Sequence, residues 1–156
     1  MRYASKTTVS SEKSRAEIET LLRKYGCNEF GFMTDHRRAK IIFGFRGHRI
    51  QFIIELPDPD AKKYHKDGRG VVRKPHSRFK VWDQDCRQSW RSFKLLIHAK
   101  LEGIESKITT FEEEFLPHIV LIDGETIGQK ILPNVIDGSI YKSGKLPLLL
   151  PAPKQD

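Results

Sequence analysis

Two cysteines in 156 residues, Cys27 and Cys86, leave no disulfide framework and no thiol-rich metal cage. No apolar run approaches the ~18 residues that a membrane span needs. The opening "MRYASKTTVSS" lacks the apolar stretch of a secretory signal. The chain is therefore expected to stay in a reducing cytoplasm, away from membranes. Also missing are a phosphate-cradling glycine loop, a nucleophile elbow and any metal-ligand spacing among the histidines His36, His48, His65, His76, His98 and His118. No catalytic residue, metal or cofactor is expected.

Excess positive charge is what the chain has. Its 28 Lys and Arg face 20 Asp and Glu, a formal +8. Nearly all of that excess is local. Residues 61–80 hold Lys62, Lys63, Lys66, Arg69, Arg73, Lys74, Arg78 and Lys80 against one acid, Asp67, which is +7 of the +8. A local cationic stretch suits an anionic partner such as DNA or RNA.

Around this stretch the hydrophobic pattern predicts α+β. An N-terminal helix starts from an S-x-x-E box at Ser14 and Glu17 and carries Ile18, Leu21, Leu22 and Tyr25 on one face, with Gly26 as its stop. Strands follow at 29–33, 39–45 and 49–56. The last two are joined by "RGH" and share an inner face of Ala39, Ile41, Phe43, Phe45, Ile50, Phe52, Ile54 and Leu56. Their outer face is mixed and partly basic, with Lys40, Arg46, Arg49 and Gln51, and its three cations could extend the nucleic-acid-binding surface of the basic stretch. Residues 57–81 show no period and read as a long basic loop. A long amphipathic helix over 82–106 carries Trp82, Cys86, Trp90, Phe93, Ile97, Leu101 and Ile104. The C-terminal part reads as a short helix capped by Thr109 with Glu112, a hairpin at 118–127 turning on Asp-Gly, and a helix broken at Pro133. One domain spans 1–156, with a flexible lead-in at 1–10 and a proline-rich tail at 145–156.

The stretches "EKSRAEIETLLRKYG", "GHRIQFIIELPDP" and "RQSWRSFKLLIHAKLEGIESKITTFEEEFLPHIVLIDGETIGQKILP" resemble a family of small proteins encoded by bacteriophages and prophages. That family carries no assigned activity. The resemblance implies a phage product in the cytoplasm of a bacterial host. The element order is also similar to that of double-stranded RNA-binding domains, and its β-β-β-α part to a family of single-strand annealing proteins, as topology only.

Two further readings concern the partner. Arg87, Arg91 and Lys94 step along the long helix one residue round from its apolar stripe. They are either a ridge that contacts phosphates or a solvated face. Tyr64 and Phe79 lie among the cations and could stack on bases, whereas in a mere linker Phe79 and Trp82 would begin the core. The leading expectation is a non-enzymatic, sequence-tolerant nucleic-acid binder, by context in phage recombination or replication. The alternative is an inhibitor that docks on a host defence or nucleic-acid-handling protein. A remoter one is a metal-dependent nuclease using Asp58 and Asp60, next to Lys62.

Overall fold

The computed structural model describes residues 3–141. It has an N-terminal helix α1 (Ser11–Lys24), strands β1 (Glu29–Thr34), β2 (Arg38–Phe45) and β3 (His48–Glu55), and a short α2 (Lys62–His65). The long α3 (Pro75–Glu105), α4 (Phe111–Phe115) and α5 (Ile127–Ile136) follow, with 3-10 turns at Leu116–His118 and Ser139–Tyr141. The strands form one antiparallel sheet in the order β1-β2-β3. The fold is the α+β arrangement that the hydrophobic pattern predicts. The tail at 145–156 lies outside the described residues.

Helix α1 begins a turn earlier than the S-x-x-E box suggests. Ser10 is the cap, accepting from the Lys13 N–H at 3.1 Å. Ser14 is fully buried, and its hydroxyl donates back to the Ser10 carbonyl. The helix closes with a Schellman turn. The Cys27 N–H bonds the Leu22 carbonyl and the Gly26 N–H bonds that of Arg23, which requires Gly26 at φ +94°. The turn buries Cys27 against the core end of the helix.

The register pairs Phe43 with Ile50, Ile41 with Phe52 and Ala39 with Ile54. This sets the expected inner face, although Ile54 and Leu56 are only half-buried. The hairpin between β2 and β3 is tighter than "RGH". Arg46 and Gly47 alone form the turn, at φ +47° and +78°, and His48 pairs with Phe45. Two left-handed residues match the twist of a two-residue hairpin. On the outer face Met33 and Ile53 are exposed, whereas Gln51, expected on that mixed face, is buried.

One apolar cluster joins Ile18 and Leu22 of α1, the inner sheet face, the α3 stripe from Trp90 to Leu101, and Phe111 and Phe115 of α4. Some of its rings meet edge-on or tilted, with Phe52 on Phe93 at 5.2 Å, Phe45 on Phe111 at 4.6 Å and Phe43 on Phe115 at 6.0 Å, whereas Phe43 and Phe52 lie nearly parallel at 6.4 Å. Each such buried side chain contributes roughly 1.5–3 kcal/mol of transfer free energy.

The C-terminal part departs in detail from the pattern. Thr110, not Thr109, caps α4, and its box partner is Glu113. The hairpin at 118–127 is reduced to single bridges. Val120 faces Thr126 around Gly124, and Ile119 faces Ile50 on the free edge of β3. Helix α5 runs unbroken through Pro133. Pro133 is exposed, so water can take the helical carbonyl that its missing N–H leaves free. The lead-in is also held. Gln84 donates to the carbonyls of Ser5 and Thr7, and Gln88 to that of Tyr3, which fastens residues 3–8 along α3.

Candidate nucleic-acid interface

The basic stretch is not a loop throughout. Its last third is helical, because α3 starts at Pro75, two turns before the apolar stripe begins. Proline at the first helical position costs no hydrogen bond there. The preceding residues make a closed excursion. The Arg73 N–H bonds the His65 carbonyl at 2.8 Å, Lys66 bridges Val72, and Gly70 sits at φ +80°. Asp67, the lone acid, accepts through one oxygen from the N–H groups of Arg69 and Val71, both at 2.9 Å. Its charge is engaged in holding the turn.

Tyr64 fastens this excursion to the body. It is fully buried, and its hydroxyl donates to Asp85 of α3 at 2.6 Å. Lys63 reaches the same carboxylate at 2.6 Å and lies over the Tyr64 ring. Burial, then the Asp85 bond, raises the Tyr64 pKa, while Asp85 raises that of Lys63. Tyr64 is thus an anchor, and its ring is not available to stack on a base. Phe79 is available. It is 58% exposed and tilts on the half-buried Trp82 at 5.6 Å, and Trp82 in turn donates to the Pro57 carbonyl at 2.7 Å.

The cations expected to form a ridge on α3 have carboxylate partners within the chain. Arg91 bonds Glu17 of α1 at 2.6 Å with its side chain only 16% exposed, and Lys94 reaches the same carboxylate at 3.1 Å. Hydrogen bonds from these two cations hold the Glu17 carboxyl below the usual glutamate range. Arg87 pairs with Asp83 at 2.7 Å, one turn back on its own helix. The stripe borders the seam between α1 and α3, and its three cations share the two carboxylates of Asp83 and Glu17.

The remaining cations separate in space. Lys62, Lys66, Arg69, Lys74 and Lys80 are exposed and have no ion pair among the described residues. Arg73 and Arg78 lie half-buried behind them, with Arg78 at 3.3 Å from the His65 ring. His65 Nε2 and Arg73 Nε are buried without a hydrogen-bond partner. Arg46 and Arg49 stand at the hairpin end of β3, whereas the basic segment leaves from the other end. At about 3.4 Å per residue, Arg49 is roughly 24 Å from Leu56. They do not extend the same surface. Lys40, opposite Ile53, is nearer to that exit.

Beside Phe79 a cleft of about 580 Å³ opens between the first turns of α1 and α3, with Trp82 and Trp90 in its wall. Its charge is mixed, with Arg15 and Arg78 facing Glu12, Asp35, Asp60 and Asp83. Asp58, expected as a metal ligand in the nuclease reading, spends one oxygen on Arg37 at 2.8 Å and the other on the Asp60 N–H at 3.0 Å. No cluster of three metal-ligating side chains occurs among the described residues. Nor is any described helix long and apolar enough to cross a membrane.

The pattern along the chain missed one element of the site. The N-terminus of α3 has no side-chain cap and no acid in its first turn, and Lys74, His76 and Arg78 surround it. Its first free N–H groups therefore add to the cationic field. Pro75 was the signal that could have placed this helix start.

No family model, no curated protein and no solved structure matches the chain. Its function has to be read from its own charges and rings.

Proposed function

We propose that the chain binds nucleic acid through residues 62–80, with phosphates on Lys62, Lys66, Arg69, Lys74 and Lys80 and a base stacked on Phe79. One contrast carries this reading. The cations of α3 that face α1 are ion-paired, whereas five of the basic segment are exposed around an uncapped helix start and have no ion pair among the described residues. An exposed ring among free cations suits single strands, where stacking and phosphate neutralisation act together without reading sequence. The segment is held by Tyr64 and Asp85, so little of the binding free energy goes into ordering it.

The test is binding of labelled single-stranded DNA, duplex DNA and RNA across a salt series. Five phosphate contacts on a single strand give a log–log slope near −3.5, or about 100-fold weaker binding between about 50 and 200 mM salt. Changing the five free cations to Ser should flatten the slope and abolish binding at moderate salt. Changing Arg87 and Arg91 to Gln should leave the slope unaltered. Failure of the wild type to bind any of the three polymers, or equal effects of the two sets, overturns the reading.

A further inference from the structure

His65, Arg73 and Arg78 form a small cluster set back from the exposed lysines. The bridge between Lys66 and Val72 makes His65 and Arg73 a direct cross-strand pair, closed by the Arg73 N–H on the His65 carbonyl. Their Cα atoms therefore stand about 5.5 Å apart. Arg78, from the first turn of α3, brings its guanidinium to 3.3 Å from His65 Nδ1. A guanidinium only donates, so Nδ1 accepts and the neutral ring carries its proton on Nε2. That Nε2–H and the Nε–H of Arg73 are both buried, and neither has an acceptor. Neither arginine has an ion pair among the described residues, and the acids lining the cleft beside Arg78 form none with it. A buried donor without an acceptor is costly, and two guanidinium charges without a carboxylate repel each other. What the cluster lacks is an anion rich in acceptor oxygens.

We propose that His65, Arg73 and Arg78 take the terminal phosphate of a nucleic-acid strand. This rests on the nucleic-acid reading above and adds recognition of a strand end to it. A phosphate within a strand has two ester branches, and exposed lysines meet it without burying either. A terminal phosphate has one ester branch, three free oxygens and a charge of about −2. It can enter a half-buried site and accept from three side chains, where charge-assisted bonds are strong. Arg78 also ties this cluster to the exposed ring. It directly precedes Phe79, and both line the cleft at the start of α3. The end nucleotide would lie on Phe79 with its phosphate on Arg78.

The experiment is titration of the full chain with one labelled thymidine oligonucleotide in three forms: hydroxyl at both ends, phosphate at the 5′ end, and phosphate at the 3′ end. One phosphorylated form should bind about tenfold more tightly than the hydroxyl form, the worth of one charge-assisted hydrogen bond. Arg73→Gln should abolish that preference. His65→Phe, which keeps a ring and loses its nitrogen atoms, should abolish it as well and serves if Arg73→Gln unfolds the protein. Lys66→Ser also removes one positive charge, yet should weaken all three forms and keep the preference. Millimolar inorganic phosphate should leave the preference in place, and erasing it would assign the site to the free ion and overturn the strand-end assignment. Equal binding of the three forms overturns this proposal and leaves the nucleic-acid reading standing. So does a preference that Arg73→Gln and Lys66→Ser reduce alike. Binding of none of the forms overturns the nucleic-acid reading and this one with it.

Discussion

Tyr64 and Phe79 look equivalent in a stretch of lysines and arginines, but one is buried and the other exposed, and two substitutions separate the roles proposed for them. Tyr64→Phe keeps the ring and removes the hydroxyl that donates to Asp85 at 2.6 Å. A hydrogen bond to a charged group is worth about 1.5–3 kcal/mol. Lys63 still reaches the same carboxylate, which is about a third exposed. The lower end therefore applies, and the expected loss is about 1.5 kcal/mol of unfolding free energy. Phe79→Ala removes a ring that is 58% exposed and touches Trp82 at its edge. Its cost in stability should stay under about 1 kcal/mol, well below the 3–5 kcal/mol of a buried Phe. Its cost in single-strand binding should be about 1–3 kcal/mol, the usual worth of one stacked base. Urea unfolding gives the first quantity and titration with a labelled oligonucleotide the second. A Tyr64→Phe protein as stable as wild type would refute the anchor. A Phe79→Ala protein that binds as well as wild type would refute the stacking platform.

Glu17→Gln should cost about 0.5–1 kcal/mol at neutral pH, discounted because the carboxylate is a third exposed. The Glu17 pKa is lowered on folding, so its contribution is complete above the ordinary glutamate range near 4.3 and is lost as pH falls through the lower folded value. Acid titration of stability should therefore show a shallower decline in the variant, and an unchanged acid limb would count against the seam pairing. Gly128→Ala should loosen the docking of α5, because the added Cβ would stand 2.7 Å from the Pro117 carbonyl oxygen. Hydrogen exchange should then quicken in α5 and not in α3, and equal protection would disprove the close contact.

The sheet and the long helix were legible because burial is periodic there. Ala39, Ile41 and Phe43 alternate, Cys86, Trp90, Phe93 and Ile97 recur at helical spacing, and both sets are buried. What escaped has no period of its own. Tyr64 stands between lysine and histidine, and the partner that buries it, Asp85, is 21 residues away. Glu17 offers a capping-box reading locally, yet its carboxylate is used 74 residues on, by Arg91. The cations at 87, 91 and 94 could be counted from the sequence. Whether they were free depended on a neighbouring helix whose rotation only packing fixes. Pro133 misled in the other direction, since one missing N–H on an exposed surface does not break a helix that a Thr126–Gln129 box has started.

The hydrogen bond from Arg73 to the His65 carbonyl brings the two ends of the 66–72 excursion together. Everything between those ends is therefore a side branch that the rest of the chain does not need in order to close its core. Lengthening such a branch costs only about 0.6 kcal/mol per doubling of its length. The tip from Lys66 to Val72 is accordingly an exchangeable cartridge. Its charge and length can diverge or be redesigned, while Tyr64, Asp85 and the helix behind them stay as they are.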